Sequence, residues 1–256
     1  SPILKLRQHF ELYANIRPCA NLGNVDRDIN MVVIRENTED LYSGVERVED
    51  NGNRAITERI ITRKGSERIV RYAFEIAKKM GFTKVTVVHK ANVLRETCGL
   101  FRKVAIEVAK NYADIEMQEL LVDNCAMQLI KNPEQFQVIV TTNMFGDILS
   151  DEASMLVGGL GLAYSGNIGD NVAVFEPVHG SAPKYVGTHS INPIATFLSA
   201  KLMLEYLGLV KEAKKLEDAV RKAIQEKMVT PDLDGNLTTQ QVTDNIIRIL
   251  KEGYSH

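Results

Sequence analysis

Asp147 and Asp151 stand four residues apart in the run Gly-Asp-Ile-Leu-Ser-Asp (146–151). On a helix that spacing stacks two carboxylates on one face. They repel unless something positive lies between them, and a hard divalent cation such as Mg²⁺ or Mn²⁺ suits oxygen donors. Asp123 also follows a strand-like run and opens a helix, so it belongs beside that pair as a candidate. The plain alternative is a solvated helix face. Arg7, Arg17 and Arg35 fall at ends of predicted elements, and arginine forks grip carboxylates in pairs. Lys90 ends an apolar strand, where partial desolvation tunes a lysine toward general-base work. Tyr42 closes the polar run Arg35-Glu36-Asn37-Thr38-Glu39-Asp40. A snorkelling lysine and a half-buried tyrosine are the ordinary readings of those two. Glu-Pro-Val-His-Gly-Ser-Ala-Pro-Lys-Tyr (176–185) brings small residues, a ring and a cation to one loop, which suits a nucleotide. It is no GxGxxG fingerprint. Gly159-Leu160-Gly161 lacks the third glycine and follows a helix, so a Rossmann reading is rejected.

These residues need elements to hold them. Apolar periodicity alternates between two and 3.6. Strands are expected at 30–35, 55–63, 84–89, 115–122, 137–141 and 172–175. Helices are expected at 64–80, stopped by Gly81, and at 95–112 and 124–131, then one carrying Asp147 and Asp151 up to Gly158. Further helices fall at 193–207, 210–228 and up to about 251. That order describes an α/β protein with a partly parallel sheet. Residues 45–63, with Asp50-Asn51-Gly52 at their centre, read as a β-hairpin arm suited to pairing with another subunit.

Composition narrows the function class. With 256 residues, the chain buries a sizeable core. A formal charge of −2 gives no basic field for nucleic acid or an anionic membrane surface. No apolar run is long enough for a membrane span, and no leader pattern precedes the first elements. Cys19, Cys98 and Cys125 are odd in number and lack CxxC spacing, which suggests reduced thiols in a cytoplasm-like compartment. A mitochondrial matrix location fits the same usage.

Taken together, LRQHFELYANIRP (6–18), VIRENTEDLYSG (33–44), VVHKANVLR (87–95), NMFGDILSDEASMLVGGLG (143–161), SGNIGDNVAVFEPVHGSAPKY (165–185) and INP (191–193) resemble the β-decarboxylating dehydrogenases. That family comprises the isocitrate, homoisocitrate and 3-isopropylmalate enzymes. The resemblance implies their non-Rossmann two-domain α/β fold. Residues 1–12 and 158–256 would belong to a large cofactor-binding domain. Residues 13–157 would form a small domain with the dimer interface and the arm. Arg7, Arg17 and Arg35, with Ser1, Ile3 and Asn92, look like the substrate contacts. Asp147 and Asp151 look like Mg²⁺ or Mn²⁺ ligands, joined by Asp123 from the other subunit of a homodimer with shared sites. Lys90 would cross the same interface to take the hydroxyl proton, and Tyr42 would protonate C3 after CO₂ leaves. His179, Gly180, Ser181, Ala182, Pro183, Lys184 and Tyr185, with Asn192 and Asp232, look like the dinucleotide site.

The resemblance carries three departures. The family begins with roughly a hundred further residues, the order of a small domain. They include a Gly-rich strand–loop that builds part of the cofactor site. The 256-residue chain by itself is therefore expected to be inactive, or to expose an apolar sheet edge. Ser1 and Asn37-Thr38-Glu39-Asp40 favour isocitrate, whereas Ile3-Leu4 suits an isopropyl group, so homoisocitrate and 3-isopropylmalate stay open. Lys184-Tyr185 stands where NAD enzymes of the family carry Asp-Ile, which favours NADP over NAD, although Thr230-Pro231-Asp232-Leu233 lacks the tyrosine and arginine of the full NADP set. A non-catalytic regulatory subunit and a truncated anion-binding dimerisation module are the competing functions. Retention of Tyr42, Lys90, the three aspartates and the His179 loop disfavours the regulatory subunit, and metal-dependent NADP reduction by the whole protein would separate both from an enzyme.

Overall fold

The computed structural model describes residues 2–252. The elements run α1 (Pro2–His9), β1 (Ala14–Ala20), β2 (Asn30–Glu36), β3 (Glu46–Glu49), β4 (Arg54–Thr57), α2 (Arg63–Met80), β5 (Lys84–His89), α3 (Thr97–Ala109), β6 (Glu116–Leu121), α4 (Val122–Lys131), β7 (Val138–Thr141), α5 (Asn143–Met155), β8 (Tyr164–Ile168), β9 (Ala173–Pro177), α6 (Ile194–Tyr206), α7 (Val210–Gln225) and α8 (Thr239–Glu252). They fall into two compact units. One holds residues 2–17 with Asn30–Glu152 and Asn167–Ala173; the other holds Pro18–Ile29, Ala153–Gly166 and residues 174–252. Drawn this way, residues 2–12 group with the first unit. The resemblance had assigned them to the large domain.

In the first unit, β6, β5, β7 and β2 lie side by side in that order, every pair parallel. Helices cover such strands on both faces, so their sequences read as near-continuous apolar runs without alternation. Met31 to Ile34, Val85 to Val88 and Val138 to Val140 are all buried. Across them α2 lays Ile69, Ala73, Phe74 and Ala77, all fully buried. Burial of one Phe74-sized side chain is worth about 1.5–3 kcal/mol. Thr62 caps α2 by accepting the Gly65 amide at 3.0 Å, and Gly81 ends it in the left-handed conformation with φ 70°. The hairpin forms as expected. Glu46 pairs with Thr57 and Glu49 with Arg54 around the Asp50–Gly52 turn. The strand expected to reach residue 63 stops at Thr57, because Arg59 turns inward to a buried carboxylate and Thr62 is taken up by the cap.

The second unit packs α6, α7 and α8 around Leu198, Leu202, Val220, Ile224, Val242 and Ile246. Beside them residues 164–166 of β8 and 174–177 of β9 belong to this unit, with the Val178 amide on the Ala163 carbonyl at 3.0 Å. Among the described residues, no helix is long and apolar enough to cross a membrane.

Candidate active site

Parallel strands end together. Arg35 on β2 is level with Thr141 on β7, and Thr141 with Val88 on β5. Arg35, the His89-Lys90 step and the start of α5 therefore share the carboxyl edge of this sheet, where open α/β sheets place ligands.

The centre of the cluster is Asp147. Four apart on α5, Asp147 and Asp151 do have a positive group between them, and within this chain it is Arg17. Its guanidinium reaches Asp147 Oδ1 at 3.1 Å, Asp151 Oδ1 at 2.9 Å and Ser150 Oγ at 2.7 Å. Arg35 donates to the same Asp147 oxygen through Nη1 and to Asn143 Oδ1 through Nε at 2.9 Å. Tyr42 donates its hydroxyl to Asp147 Oδ2 at 2.6 Å. Arg7 joins through an amide relay. Asn167 Oδ1 accepts from Arg7 Nε, Asn15 Nδ2 and Asn37 Nδ2, each at 3.0 Å, and Asn15 Oδ1 accepts from Arg17 Nε at 2.7 Å.

All three guanidinium residues are buried, Arg35 to 1% exposure. Burying a charge is costly unless it is paired and hydrogen-bonded, and this network provides both. Burial, and next the neighbouring Arg17, bring Arg35 down to about 10, against the pull of Asp147. Burial alone would raise the Asp147 carboxyl; Arg35, the Tyr42 hydroxyl and Arg17 outweigh it and hold the group below the usual carboxylate range. The Tyr42 phenol moves the other way, raised by burial and by its bond to Asp147, which keeps it a proton donor. Gly146 makes the arrangement possible: a Cβ there would stand 2.7 Å from Arg35 Cβ and Cγ.

Lys90 and Asp123 sit apart from this cluster's bonds and pair with each other. The Lys90 hydrogen bond is the largest influence lowering the Asp123 carboxyl. Among the described residues, no three His, Cys, Asp or Glu side chains gather as a metal site. Asp147 and Asp151 thus offer two hard oxygen donors on one face, chemistry that fits part of a Mg²⁺ or Mn²⁺ site. Asp123, which the resemblance implies as a third donor, is paired with Lys90 within the chain.

In the second unit, Asn192 Nδ2 donates to Asp232 Oδ2 at 2.9 Å, and Gly161 lies against both. His179 has Nδ1 at 2.9 Å from the Gly180 carbonyl, while its buried Nε2 has no hydrogen-bond partner among the described residues. Pro183–Tyr185 form a single 3₁₀ turn entered through Ala182 at φ 45°, with Lys184 and Tyr185 exposed. Asn92 is exposed and Ile3 half-buried; Ser1 lies outside the described residues. Sequence reasoning passed over Asn15, Asn143 and Asn167. Their signal is an asparagine inside a buried strand, or within two residues of its end, where an unpaired amide would be costly.

The isocitrate/isopropylmalate dehydrogenase family model matches residues 1–246. A homoisocitrate dehydrogenase of Methanocaldococcus jannaschii is 52% identical, over 98% of this chain and 76% of that protein. A 3-isopropylmalate dehydrogenase of Methanothermobacter thermautotrophicus is 50% identical, with the same coverage of each. The crystal structure of isocitrate dehydrogenase from Methylococcus capsulatus superposes with a TM-score of 0.95 at 45% identity, over 98% of this chain and 77% of that one.

Proposed function

This chain belongs to the isocitrate/isopropylmalate dehydrogenase family of β-decarboxylating dehydrogenases, and on that premise we propose that it oxidatively decarboxylates a 3-substituted (R)-malate, with isocitrate converted to 2-oxoglutarate as the favoured reaction. The observation that carries this reading is Asp147, an ionised carboxylate that accepts from Arg17, Arg35 and Tyr42 at once. Three buried guanidiniums suit a substrate with several carboxylates. For isocitrate in particular, support comes from Ser1 and the polar run Asn37 to Asp40. The names of the relatives span homoisocitrate and 3-isopropylmalate as well.

In the proposed division of labour, Arg7, Arg17 and Arg35 grip the malate carboxylates, with Asn92 and Ile3 toward the 3-substituent. Lys90, delivered by a second copy in a homodimer, takes the C2 hydroxyl proton directly or through water. Tyr42, kept protonated by burial and its Asp147 bond, delivers a proton to C3 after CO₂ departs. Asp147 and Asp151, with Asp123 of the second copy, hold Mg²⁺ or Mn²⁺, which supplies Lewis-acid polarisation of the substrate oxygens. The 179–185 loop, Asn192 and Asp232 hold the dinucleotide, and exposed Lys184 favours NADP by attracting its 2′-phosphate. The arm around 45–63 pairs across the dimer. A cytoplasmic setting fits the relatives' archaeal sources.

The test is a turnover panel on the whole protein: isocitrate, homoisocitrate and 3-isopropylmalate, each with NAD and NADP, with and without Mg²⁺. The highest kcat/KM is expected for isocitrate with NADP, and only with metal. Preference for 3-isopropylmalate overturns the substrate assignment; turnover of none overturns the enzyme. Lys184→Asp is expected to weaken NADP more than NAD, and an equal loss on both defeats the coenzyme assignment.

A further inference from the structure

We propose that Asp40 and Arg59 are positioning residues that hold the Tyr42 hydroxyl on Asp147. The inference rests on the acid role given to Tyr42 above. Asp40 is completely buried, at φ 73° and ψ −147°, a backbone region nearly reserved for glycine. An L-residue stays there only when its surroundings over-determine it, and the carboxylate shows how. Oδ1 accepts the Leu41 amide at 2.9 Å and Arg59 Nε at 2.7 Å. Oδ2 accepts Arg59 Nη2 at 3.2 Å and the Met144 amide at 3.2 Å. The Asp40 amide itself bonds the Ile60 carbonyl at 2.8 Å.

These bonds join three segments. Leu41 opens the short turn that carries Tyr42, and Met144 lies in the first turn of α5, which carries Asp147. Both ends of the 2.6 Å Tyr42–Asp147 hydrogen bond are thus tethered to one carboxylate. Arg59, on the chain leaving the hairpin, completes the tie. Its Nη2 also reaches Thr142 Oγ1 at 2.8 Å, and its guanidinium lies 4.7 Å over the Phe145 ring. Asn143 Nδ2 adds a parallel link to the Glu39 carbonyl at 2.9 Å. Neither Asp40 nor Arg59 bonds to Asp147 or Tyr42 directly. Their effect on the reaction passes through the backbone.

The experiment is a double-mutant cycle in the whole protein, at saturating substrate, coenzyme and Mg²⁺. Asp40→Asn keeps the shape and removes the charge facing Arg59. It is expected to lower kcat by roughly 10- to 100-fold, the scale of a displacement near 1 Å at a reacting group, while substrate KM stays within about threefold, far below that scale. In the Tyr42→Phe background the same change is expected to leave kcat nearly untouched, because nothing remains to be positioned. Thr142→Val, which removes one hydroxyl from the Arg59 fork, is the milder second variant and should show the same dependence on Tyr42. Equal losses in both backgrounds make Asp40 merely structural and overturn the proposal, as does an undiminished kcat in Asp40→Asn. Full activity of Tyr42→Phe removes the acid role itself and the proposal with it, a failure distinct from additivity in the cycle.

Discussion

Gly146→Ala separates helix propensity from packing. In an exposed helix interior this change stabilises by about 1 kcal/mol. At Gly146 the new methyl would meet Arg35 Cβ and Cγ at 2.7 Å and Arg35 Cα at 3.2 Å. Those atoms sit at the root of a fully buried side chain and cannot swing aside. β2 or the first turn of α5 must shift instead. Overpacking of that kind costs about 1–3 kcal/mol. Subtraction leaves a net loss of roughly 1 kcal/mol, or about 2–4 °C in Tm for a unit of this size. Function should suffer more than stability. Arg35 would be pushed off Asn143 and Asp147, and a displacement near 1 Å at a positioning group costs up to about 100-fold. Differential scanning calorimetry beside steady-state kinetics reads both effects. The expectation is a small fall in Tm with a large rise in substrate KM. A higher Tm with unchanged KM would refute the reasoning, since it would mean that α5 has room at its approach to Arg35.

Arg17→Lys keeps the charge but loses the fork shared by Asp147, Asp151 and Ser150; a lost charge-assisted bond of about 1.5–3 kcal/mol corresponds to a tenfold to hundredfold loss in kcat/KM, and an unchanged value would remove Arg17 from the site. Lys90→Met should lower kcat by at least about 100-fold if Lys90 is the base, and should bring the Asp123 carboxyl back up toward its ordinary range in an NMR titration; an unmoved Asp123 would mean that the pair does not form. In the second unit, burial pushes the Glu217 carboxyl up, but Lys201 and Arg221 outweigh it and hold the group low. Its stabilising contribution is therefore complete above the unfolded value of about 4.3 and is lost as pH falls through the lower folded value. The gap in Tm between wild type and Glu217→Gln should narrow below about pH 4, near that unfolded value, and a gap that stays constant from pH 7 to 3 would defeat the linkage.

What was legible in the sequence follows from how each element is buried. Helix α2 is amphipathic and carries both its stop signal and its cap, so it could be read almost to the residue. Strands β2, β5 and β7 are apolar on both faces and short, and length with flanking turns identified them. The hairpin declared itself through Asp50-Asn51-Gly52. β1 and β8 went unread. β1 carries Asn15, Arg17 and Pro18; β8 carries Ser165, Gly166 and Asn167. Neither alternates, neither is apolar, and each contains a residue that weakens strand propensity.

Those two strands went unread because of what they do. Their polar side chains are buried and satisfied by one another: Asn167 accepts from Arg7, Asn15 and Asn37, and Asn15 accepts from Arg17. A strand can hold such residues in a protein interior only when distant segments complete the network, and no window of neighbouring residues records that completion. Arg17 and Asp147 are 130 positions apart, Arg7 and Asn167 160. Local pattern therefore fails where an interior polar site interrupts the core. The individual residue types were legible, since arginines and aspartates announce charge wherever they stand. Their partners were not, because pairing is a property of the fold. A polar residue that spoils an otherwise buried strand is for this reason evidence about function, and β1 and β8 had that evidence in plain sequence, at Asn15 and Asn167.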